Sequence, residues 1–480
     1  MISFNSGKLP SKWKECNITP IFKKGDRNEP ENYRPISLTA LPCKLMEKII
    51  RDVMINHLMS NNLIAIEQHG FVKYKSCITN LLETVDAVTS SLDNGNSVSI
   101  IFLDFAKAFD KVCHKSLLVK LEAYGFDHNI KAWISDFLSN RKQRVVIGNH
   151  TSSWRDVTSG VPQGSVLGPL LFVIFINDMP DLVHHILKLF ADDSKLIASI
   201  NNNTDIDLLQ SDIDALVNWA ADWKMLFNYN KCKYMSVSKS GRSALNHNFF
   251  MTQETGIKET IQMTSSEKDL GIILSNNMKF NQQASHAANK ASIALGQLKR
   301  TFRFWTPKTF KLLYTTFVRP HLEYSASAWS PYLKKDISII ERVQRRATKI
   351  VPSIKGLPYD KRLIALNLTS LETRRLRGDL IQYFKLDRGI NMINWHKSNP
   401  QIPALSQSLR GNHHKIRRQK TNNCLQREHF FTNRIVLYWN DLPESVIESA
   451  SVNQFKNRLD NHIRLNGLSS GSLLLSGLPF

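Results

Sequence analysis

The sequence has few cysteines, and their spacing excludes several kinds of small domain. The 480 residues contain six cysteines, and no two of them form the Cys-x-x-Cys pair of zinc knuckles and thioredoxin-like motifs. Six thiols are also too few for a disulfide scaffold, which fits a reducing compartment. The sequence therefore predicts an intracellular protein of the cytoplasm, the nucleus or both.

Long apolar segments and internal repeats are also lacking. The N-terminus has no apolar core of a signal peptide, and the most apolar run, 166–176, is shorter than the ~20 residues that cross a bilayer. We therefore expect no membrane association. With 42% hydrophobic and 22% charged residues the composition is that of a globular protein.

Acidic residues are outnumbered by basic ones. There are 41 Asp and Glu against 63 Lys and Arg, which leaves a net charge of +22. A positive surplus of this size is typical of proteins that bind a polyanion, and nucleic acid is the leading candidate.

Hydrophobic spacing predicts a mixture of helices and short strands. The apolar positions Leu41, Leu45, Ile49 and Val53 recur at helical spacing, and 98–103 is apolar on both faces, as in a central strand. A Pro-, Ser- and Gln-rich stretch over 398–408 is typical of a linker. We predict helices over 38–60, 116–124, 170–176, 205–226, 284–303 and 336–350, and strands over 98–103, 143–147, 187–190 and 195–199.

Three aspartates are distinguished by their positions. Asp104 ends the apolar strand 98–103, and Asp192 with Asp193 occupies the turn of the hairpin formed by 187–190 and 195–199. Bare carboxylates beside buried strands cost several kcal/mol unless a cation compensates them. Mg²⁺ prefers such oxygen ligands. The alternatives are a helix cap for Asp104 and ordinary turn chemistry for the Asp-Asp pair; Asp110 is interpreted as a cap or ion-pair partner.

The order of the surrounding motifs resembles that of reverse transcriptases. Residues 102–110 (FLDFAKAFD) resemble their motif A, 159–172 (SGVPQGSVLGPLLF) their motif B, and 190–193 (FADD) their motif C. Upstream, 32–38 (NYRPISL) and 68–71 (QHGF) resemble the fingers motifs. The segments 176–180 (INDMP) and 431–443 (FTNRIVLYWNDLP) resemble segments of non-LTR, LINE-type retrotransposon polymerases of the jockey and CR1 kind.

The resemblance implies an α+β fold with the shape of a right hand. Fingers and a palm with an antiparallel sheet flanked by helices would occupy 1–278, a helical thumb or connection 279–397, and a mostly helical, basic C-terminal region 398–480. It implies RNA-directed DNA synthesis in which a primer 3′-hydroxyl is extended with dNTPs on an RNA template. The implied cofactor is Mg²⁺, with Mn²⁺ as a substitute, and the implied partners are the RNA template and the DNA primer.

Within that resemblance, Asp104, Asp192 and Asp193 would be the catalytic and metal-binding residues, used in a two-metal nucleotidyl transfer. The backbone carbonyl of Phe105 would be a further ligand. Phe109 would pack under the sugar of the incoming nucleotide and exclude a 2′-hydroxyl; the alternative is a core aromatic. Gln163 would contact the nucleotide or template base, whereas a simple tight turn is the alternative.

Three basic residues complete the implied nucleotide site. Lys23 and Arg34 lie in the fingers segments and would contact phosphate, with Lys24 an equally spaced substitute for Lys23. Lys231 resembles the motif D lysine that protonates the leaving pyrophosphate, and Lys233 is nearby. The segment 268–271 (KDLG) resembles the primer-grip turn of motif E.

Other functions remain open from the sequence. Elements of this kind place an endonuclease ahead of the polymerase, whereas this chain starts inside the fingers, so we expect an N-terminally truncated product. A non-enzymatic RNA-binding remnant is therefore one alternative. An RNA-templated RNA polymerase or an intron maturase is the other.

Overall fold

A computed structural model describes residues 2–240, 247–253, 255–397 and 414–466. Helices and strands are mixed along the chain, as the α+β prediction requires. The predicted linker 398–408 lies outside the described residues. Within the described ranges, no helix is both long enough and apolar enough to cross a bilayer.

The strands follow the predicted pattern, with additional short ones. In chain order they are β1 Glu15–Phe22, β2 Tyr33–Leu38, β3 Ser97–Leu103, β4 Arg141–Ile147, β5 His150–Thr151, β6 Arg155–Val157, β7 Ile186–Phe190, β8 Asp193–Ile200, β9 Lys233–Val237, β10 Phe250–Thr252, β11 Lys258–Thr260, β12 Gln262–Met263, β13 Ser266–Asp269 and β14 Ile272–Ser275.

Helices occur along the whole described chain, and after β14 the described residues contain helices without further strands. They are α1 Ile2–Ser6, α2 Leu41–Ser60, α3 Cys77–Asp93, α4 Ala108–Lys111, α5 His114–Ala123, α6 His128–Leu138, α7 Gly168–Ile176, α8 Asn203–Asp222, α9 Asn281–Thr301, α10 Pro307–Leu313, α11 Arg319–Glu323, α12 Ala326–Trp329, α13 Lys334–Ala347, α14 Tyr359–Ala365, α15 Leu371–Asp387, α16 Leu425–Glu428, α17 Phe431–Arg434, α18 Val436–Asn440, α19 Glu444–Ile447 and α20 Val452–Asn466.

The central sheet has the strand order β12-β9-β3-β8-β7. Strand β3 pairs antiparallel with both β8 and β9, so the apolar strand predicted from the sequence is central, and the prediction is confirmed. A second sheet has the order β2-β1-β4-β5, with β6 also pairing with β4. This second sheet contains the fingers-like segment 32–38, whereas Gln68 of the fingers-like segment 68–71 forms a bridge with Leu189 of β7 in the central sheet.

Two apolar cores hold these layers together. One packs one side of the central sheet against α5, α6, α7 and α8. The other is continuous from α3 and β9 through α9 and α13 to α20, so residues on both sides of the predicted boundary at 397 share it. The division into 1–278, 279–397 and 398–480 therefore stays a proposal about chain segments.

Helix α2 forms where the sequence predicts a helix, but its apolar stripe does not face the core. Leu41, Leu45, Ile49 and Val53 are all more than half exposed. The buried face instead contains Glu47, whose Oε2 accepts hydrogen bonds from the backbone N–H groups of Val166 and Leu167 at 2.7 and 3.0 Å. A buried carboxylate thus replaces part of the apolar face because it satisfies the loop entering α7.

Candidate active site

Strand pairing brings the predicted acidic positions together at the ends of strands in the central sheet. Leu103, the last residue of β3, pairs with Ser194, so Asp104 follows next to Asp193 at the start of β8. Asp193 pairs with Phe190 at the end of β7, and Asp192 lies in the turn between these strands. Residues opposite each other on antiparallel strands have Cβ atoms about 5 Å apart. Asp104 and Asp193 therefore lie next to each other, and Asp192 directly precedes Asp193 in the turn.

Burial, together with neighbouring carboxylates, raises the pKa values of Asp192 and Asp193. Partial burial raises the pKa of Asp193 to about 6, and the charges of Asp192, Asp269 and Asp104 add to this effect. The Asp193 side chain is open to solvent at the mouth of the cleft, while protein atoms crowd its other sides. Burial, followed by the charge of Asp104, also raises the pKa of Asp192. Like charges held this close favour a cation between them.

The turn that carries Asp192 and Asp193 is fixed by a neighbouring loop. Ala191 has a φ of +53°, which is costly for a residue with a side chain. The Gln68 Oε1 atom accepts hydrogen bonds from Ala191 N–H at 3.1 Å and from Gly70 N–H at 2.7 Å. These bonds hold the turn in its strained conformation.

The donor set suits a hard divalent cation. Carboxylate oxygens are the ligands that Mg²⁺ prefers, and the mutual repulsion described above would be relieved by a positive charge. In the part of the chain that the structure describes, no three acidic, histidine or cysteine side chains are gathered closely enough to hold an ion by themselves. The aspartates are thus neighbours without forming a closed ligand set, and ligands from a substrate would be needed to complete one.

Lys231 lies at this site, whereas Lys233 is engaged elsewhere. The Lys231 Nζ atom is 3.6 Å from Asp104 Oδ1, with both side chains partly open to solvent. Lys233 Nζ instead donates hydrogen bonds to Gln262 Oε1 and to the Asn230 carbonyl. The structure therefore favours Lys231 of the two lysines that the sequence left open.

The two phenylalanines after Asp104 have different surroundings. Phe105 is buried, and its ring stacks on Phe227 with centroids 4.5 Å apart. Phe105 and Phe227 form an isolated β-bridge. The hydrogen bonds of this bridge involve the Asp104 carbonyl and the Ala106 N–H, so the Phe105 carbonyl takes no part in it. Phe109 is half-buried and stacks on Phe172 of α7 at 4.4 Å.

Gln163 forms a hydrogen bond with Asp110, for which the sequence predicts a cap or an ion pair. Its Nε2 atom donates to Asp110 Oδ1 at 2.9 Å, and its carbonyl accepts from the Ser37 N–H at 2.7 Å. Asp110 lies within the first turn of α4, whose N-cap is Lys107, so the cap interpretation is wrong. Asp110 instead connects the segments that resemble motifs A and B.

Lys23 and Arg34 face the acidic turn from the fingers sheet. Arg34 pairs with Ile21 across β1 and β2, and Lys23 directly follows β1. The positive charges of both residues act to lower the pKa of Asp192, against the larger effect of burial. Their field at Asp192 favours Lys23 over Lys24 as the residue directed at the site.

Just over half of the chain matches one known protein family. Residues 21–274 match the family model described as reverse transcriptase (RNA-dependent DNA polymerase). The chain belongs to the reverse transcriptase family.

The relatives of this reverse transcriptase come from non-LTR mobile elements. It is 26% identical over 371 residues to the probable RNA-directed DNA polymerase from transposon BS of Drosophila melanogaster, covering 73% of this chain and 39% of that one. It is also 26% identical to the RNA-directed DNA polymerase from mobile element jockey of the same fly, with 74% and 40% covered. The chain spans about two fifths of the length of these relatives.

Among solved structures, apo telomerase from Candida tropicalis is similar in backbone. The identity is 11%, the TM-score is 0.43, and the match covers 73% of this chain and 59% of that chain.

The cleft beside the aspartates also contains the predicted turn 268–271, together with Glu267 and Lys195, which the sequence analysis did not assign. The hairpin of β13 and β14 turns at Leu270 and Gly271, both with positive φ. It lines the cleft beside Asp104, Asp193 and Lys231 with the side chains of Glu267, Lys268 and Asp269. Asp269 forms a buried ion pair with Lys195 of β8. Only the KDLG pattern signalled this hairpin; no local pattern signalled the Lys195 partner.

Proposed function

We propose that this chain catalyses RNA-templated DNA synthesis, extending a primer 3′-hydroxyl with dNTPs. The observation that carries the proposal is the register that sets Asp104 next to Asp193 and beside Asp192. Bound divalent ions would supply charge stabilisation and a more acidic primer hydroxyl. Asp104, Asp192 and Asp193 would hold them.

The basic residues around the aspartates would handle the triphosphate. Lys23 and Arg34 approach from the fingers side, where Arg offers a planar fork and Lys a point charge for phosphate oxygens. Lys231, held 3.6 Å from Asp104, would protonate the leaving pyrophosphate. The three residues surround the acidic turn from two directions, as binding of a polyphosphate requires.

Phe109 and Gln163 would select the nucleotide. Stacking on Phe172 fixes the Phe109 ring. Because the ring cannot move aside, it would clash with the 2′-hydroxyl of a ribonucleotide. Gln163 is oriented by Asp110 and Ser37. Phe109→Ala should raise rNTP incorporation relative to dNTP incorporation, whereas an unchanged ratio would contradict the sugar-selecting role.

The segment 279–397 would grip the template–primer backbone. Arg342, Arg345, Arg346 and Lys349 are all exposed on one part of α13 and the turn after it, while Ile340, Val343 and Ala347 are buried. Phosphate contacts of this kind are independent of sequence and weaken as salt increases.

Primer extension on poly(rA)/oligo(dT) with dTTP and Mg²⁺ or Mn²⁺ tests the proposal. Wild-type protein and the control Asp207→Asn, an exposed residue of α8, should both incorporate dTTP. Asp192→Asn should abolish incorporation while RNA binding persists, because it removes a charged ligand with little change in bulk. RNA binding without any extension by the wild type would instead indicate the non-enzymatic remnant.

A further inference from the structure

Glu83 is a buried carboxylate at the meeting point of three distant chain segments. It lies on α3 with 1% of its surface exposed. Its Oε2 atom pairs with Lys188 Nζ of β7 and lies 3.3 Å from His69 Nε2. Its Oε1 atom accepts a hydrogen bond from the Asn394 N–H at 2.8 Å. A charge this deeply buried is stable only while such partners remain in place.

Two of these partners lead directly to the turn that carries Asp192 and Asp193. Lys188 and Leu189 belong to β7, which runs into that turn. The His69 N–H donates to the Leu189 carbonyl at 2.9 Å, and Leu189 N–H donates to the Glu67 carbonyl at 3.1 Å. Gln68, adjacent to His69, accepts the Ala191 N–H. The segment 67–70 and β7 therefore form one hydrogen-bonded unit. Glu83 contacts both parts of it, through His69 and Lys188.

The third partner belongs to the chain that follows α15. Besides the Asn394 bond to Glu83, the N–H groups of His396 and Lys397 donate to Asp86 Oδ2, one turn further along α3, at 2.7 and 3.3 Å. Met392 N–H donates to the Tyr74 carbonyl at 2.9 Å. The segment 392–397 is thus bound to α3 and closes the polar surroundings of Glu83.

We propose that Glu83 is a positioning residue for the turn of Asp192 and Asp193. This inference rests on the proposed function. Loss of the Glu83 charge would release Lys188 and His69 and let the turn relax. The turn would then bind divalent ions more weakly, while the residues that contact the nucleotide and the template would stay in place.

Asp86 supplies a matched control. It lies on the same helix, is also 1% exposed, binds the same segment 392–397 and forms a buried ion pair with Arg427 at 2.5 Å. Its side-chain contacts are with His396, Lys397 and Arg427, and among the described residues they do not include β7 or the segment 67–70. Asp86→Asn should therefore reproduce the general cost of a lost buried charge without the effect on the turn.

The experiment compares full-length wild type, Glu83→Gln and Asp86→Asn in primer extension over a Mg²⁺ titration. Because displacement of reacting groups by about 1 Å can cost 100-fold in rate, Glu83→Gln should lower kcat by at least about tenfold and raise the half-saturating Mg²⁺ concentration. At saturating Mg²⁺ the KM for dTTP should stay unchanged. Asp86→Asn should keep both the kcat and the Mg²⁺ dependence. Equal losses in the two variants, in proportion to their melting temperatures, would overturn the proposal.

A second readout is independent of activity. In Glu83→Gln, amide hydrogen exchange of a peptide covering 186–193 should be faster by about tenfold or more, whereas Asp86→Asn should match the wild type. If the wild type has no polymerase activity, the proposed function fails, and this exchange measurement still decides the positioning role. If Glu83→Gln does not fold, the double variant Glu83→Gln with Lys188→Met removes both charges. In this double variant, exchange of the 186–193 peptide should likewise be faster than in the wild type. Unchanged exchange in a folded variant would refute the positioning role.

Discussion

Gly70 allows the loop 67–70 to approach the turn of Asp192 and Asp193 more closely than any other residue could. A methyl group at position 70 would lie 2.3 Å from the Ala191 amide nitrogen and 2.9 Å from the Phe190 carbonyl carbon. Unbonded heavy atoms settle at about 3.5–4.0 Å, so Gly70→Ala requires a backbone displacement of about 1 Å. The displaced atoms belong to the turn itself.

The expected result is a large loss of activity with a moderate loss of stability. A 1 Å misplacement of reacting groups can cost about 100-fold in rate, and overpacking costs about 1–3 kcal/mol. Steady-state primer extension and urea unfolding measure the two effects. Gly378→Ala is the control, because Gly378 lies within α15 with open space around it, and alanine there should stabilise the helix by about 1 kcal/mol. Activity of Gly70→Ala within threefold of wild type, with unchanged stability, would refute the assigned close approach.

Two further predictions concern charges near the cleft. Lys231→Ala should lower kcat in primer extension by about tenfold or more if it acts as a general acid, while Lys233→Ala, whose amine contacts Gln262 instead, should have little effect; equal losses would contradict the assignment. Burial raises the pKa of Glu83, but the hydrogen bond from His69 and the charge of Lys188 outweigh it and hold the pKa at about 2, below the ordinary 4.5. The stabilisation from this lowered pKa is therefore complete above pH 4.5 and is lost as the pH falls towards 2, and a displacement of this size corresponds to about 3 kcal/mol. Urea unfolding from pH 5 to 2.5 should show a shallower loss of stability in Glu83→Gln than in wild type; parallel pH profiles would count against this.

The local features of the fold could be predicted because they depend on neighbouring residues. The apolar run 98–103 has no polar face, which predicts a central strand, and the pairing of 187–190 with 195–199 follows from the hairpin that contains Asp192. The acidic positions meet because each ends or begins a strand. Motif order supplied the rest of the site.

The direction of a helix face could not be predicted with the same means. Periodicity shows that Leu41, Leu45, Ile49 and Val53 share one side of α2, but not which side is buried. The buried side was decided by Glu47, which satisfies two backbone amides about 120 residues away. A polar residue with a distant partner is invisible to a hydrophobicity pattern.

Partners far apart in the chain were missed for the same reason. Glu83 and Asn394 are 311 residues apart, and Lys195 and Asp269 are 74 apart. Nothing near Asp110 in the sequence shows that Gln163 would bond to it. Such contacts exist only once the cores have brought the segments together.

The role proposed for Asp104, Asp192 and Asp193 together is to hold a divalent ion. Iron-directed cleavage tests it most directly, since Fe²⁺ bound in place of Mg²⁺ generates radicals that cut the nearest backbone when ascorbate and peroxide are added. With template–primer and dTTP bound, we expect cuts near 104 and near 190–193, suppressed by excess Mg²⁺ and lost in Asp192→Asn. Cleavage at only one of these segments, or elsewhere in the chain, would contradict the shared metal site.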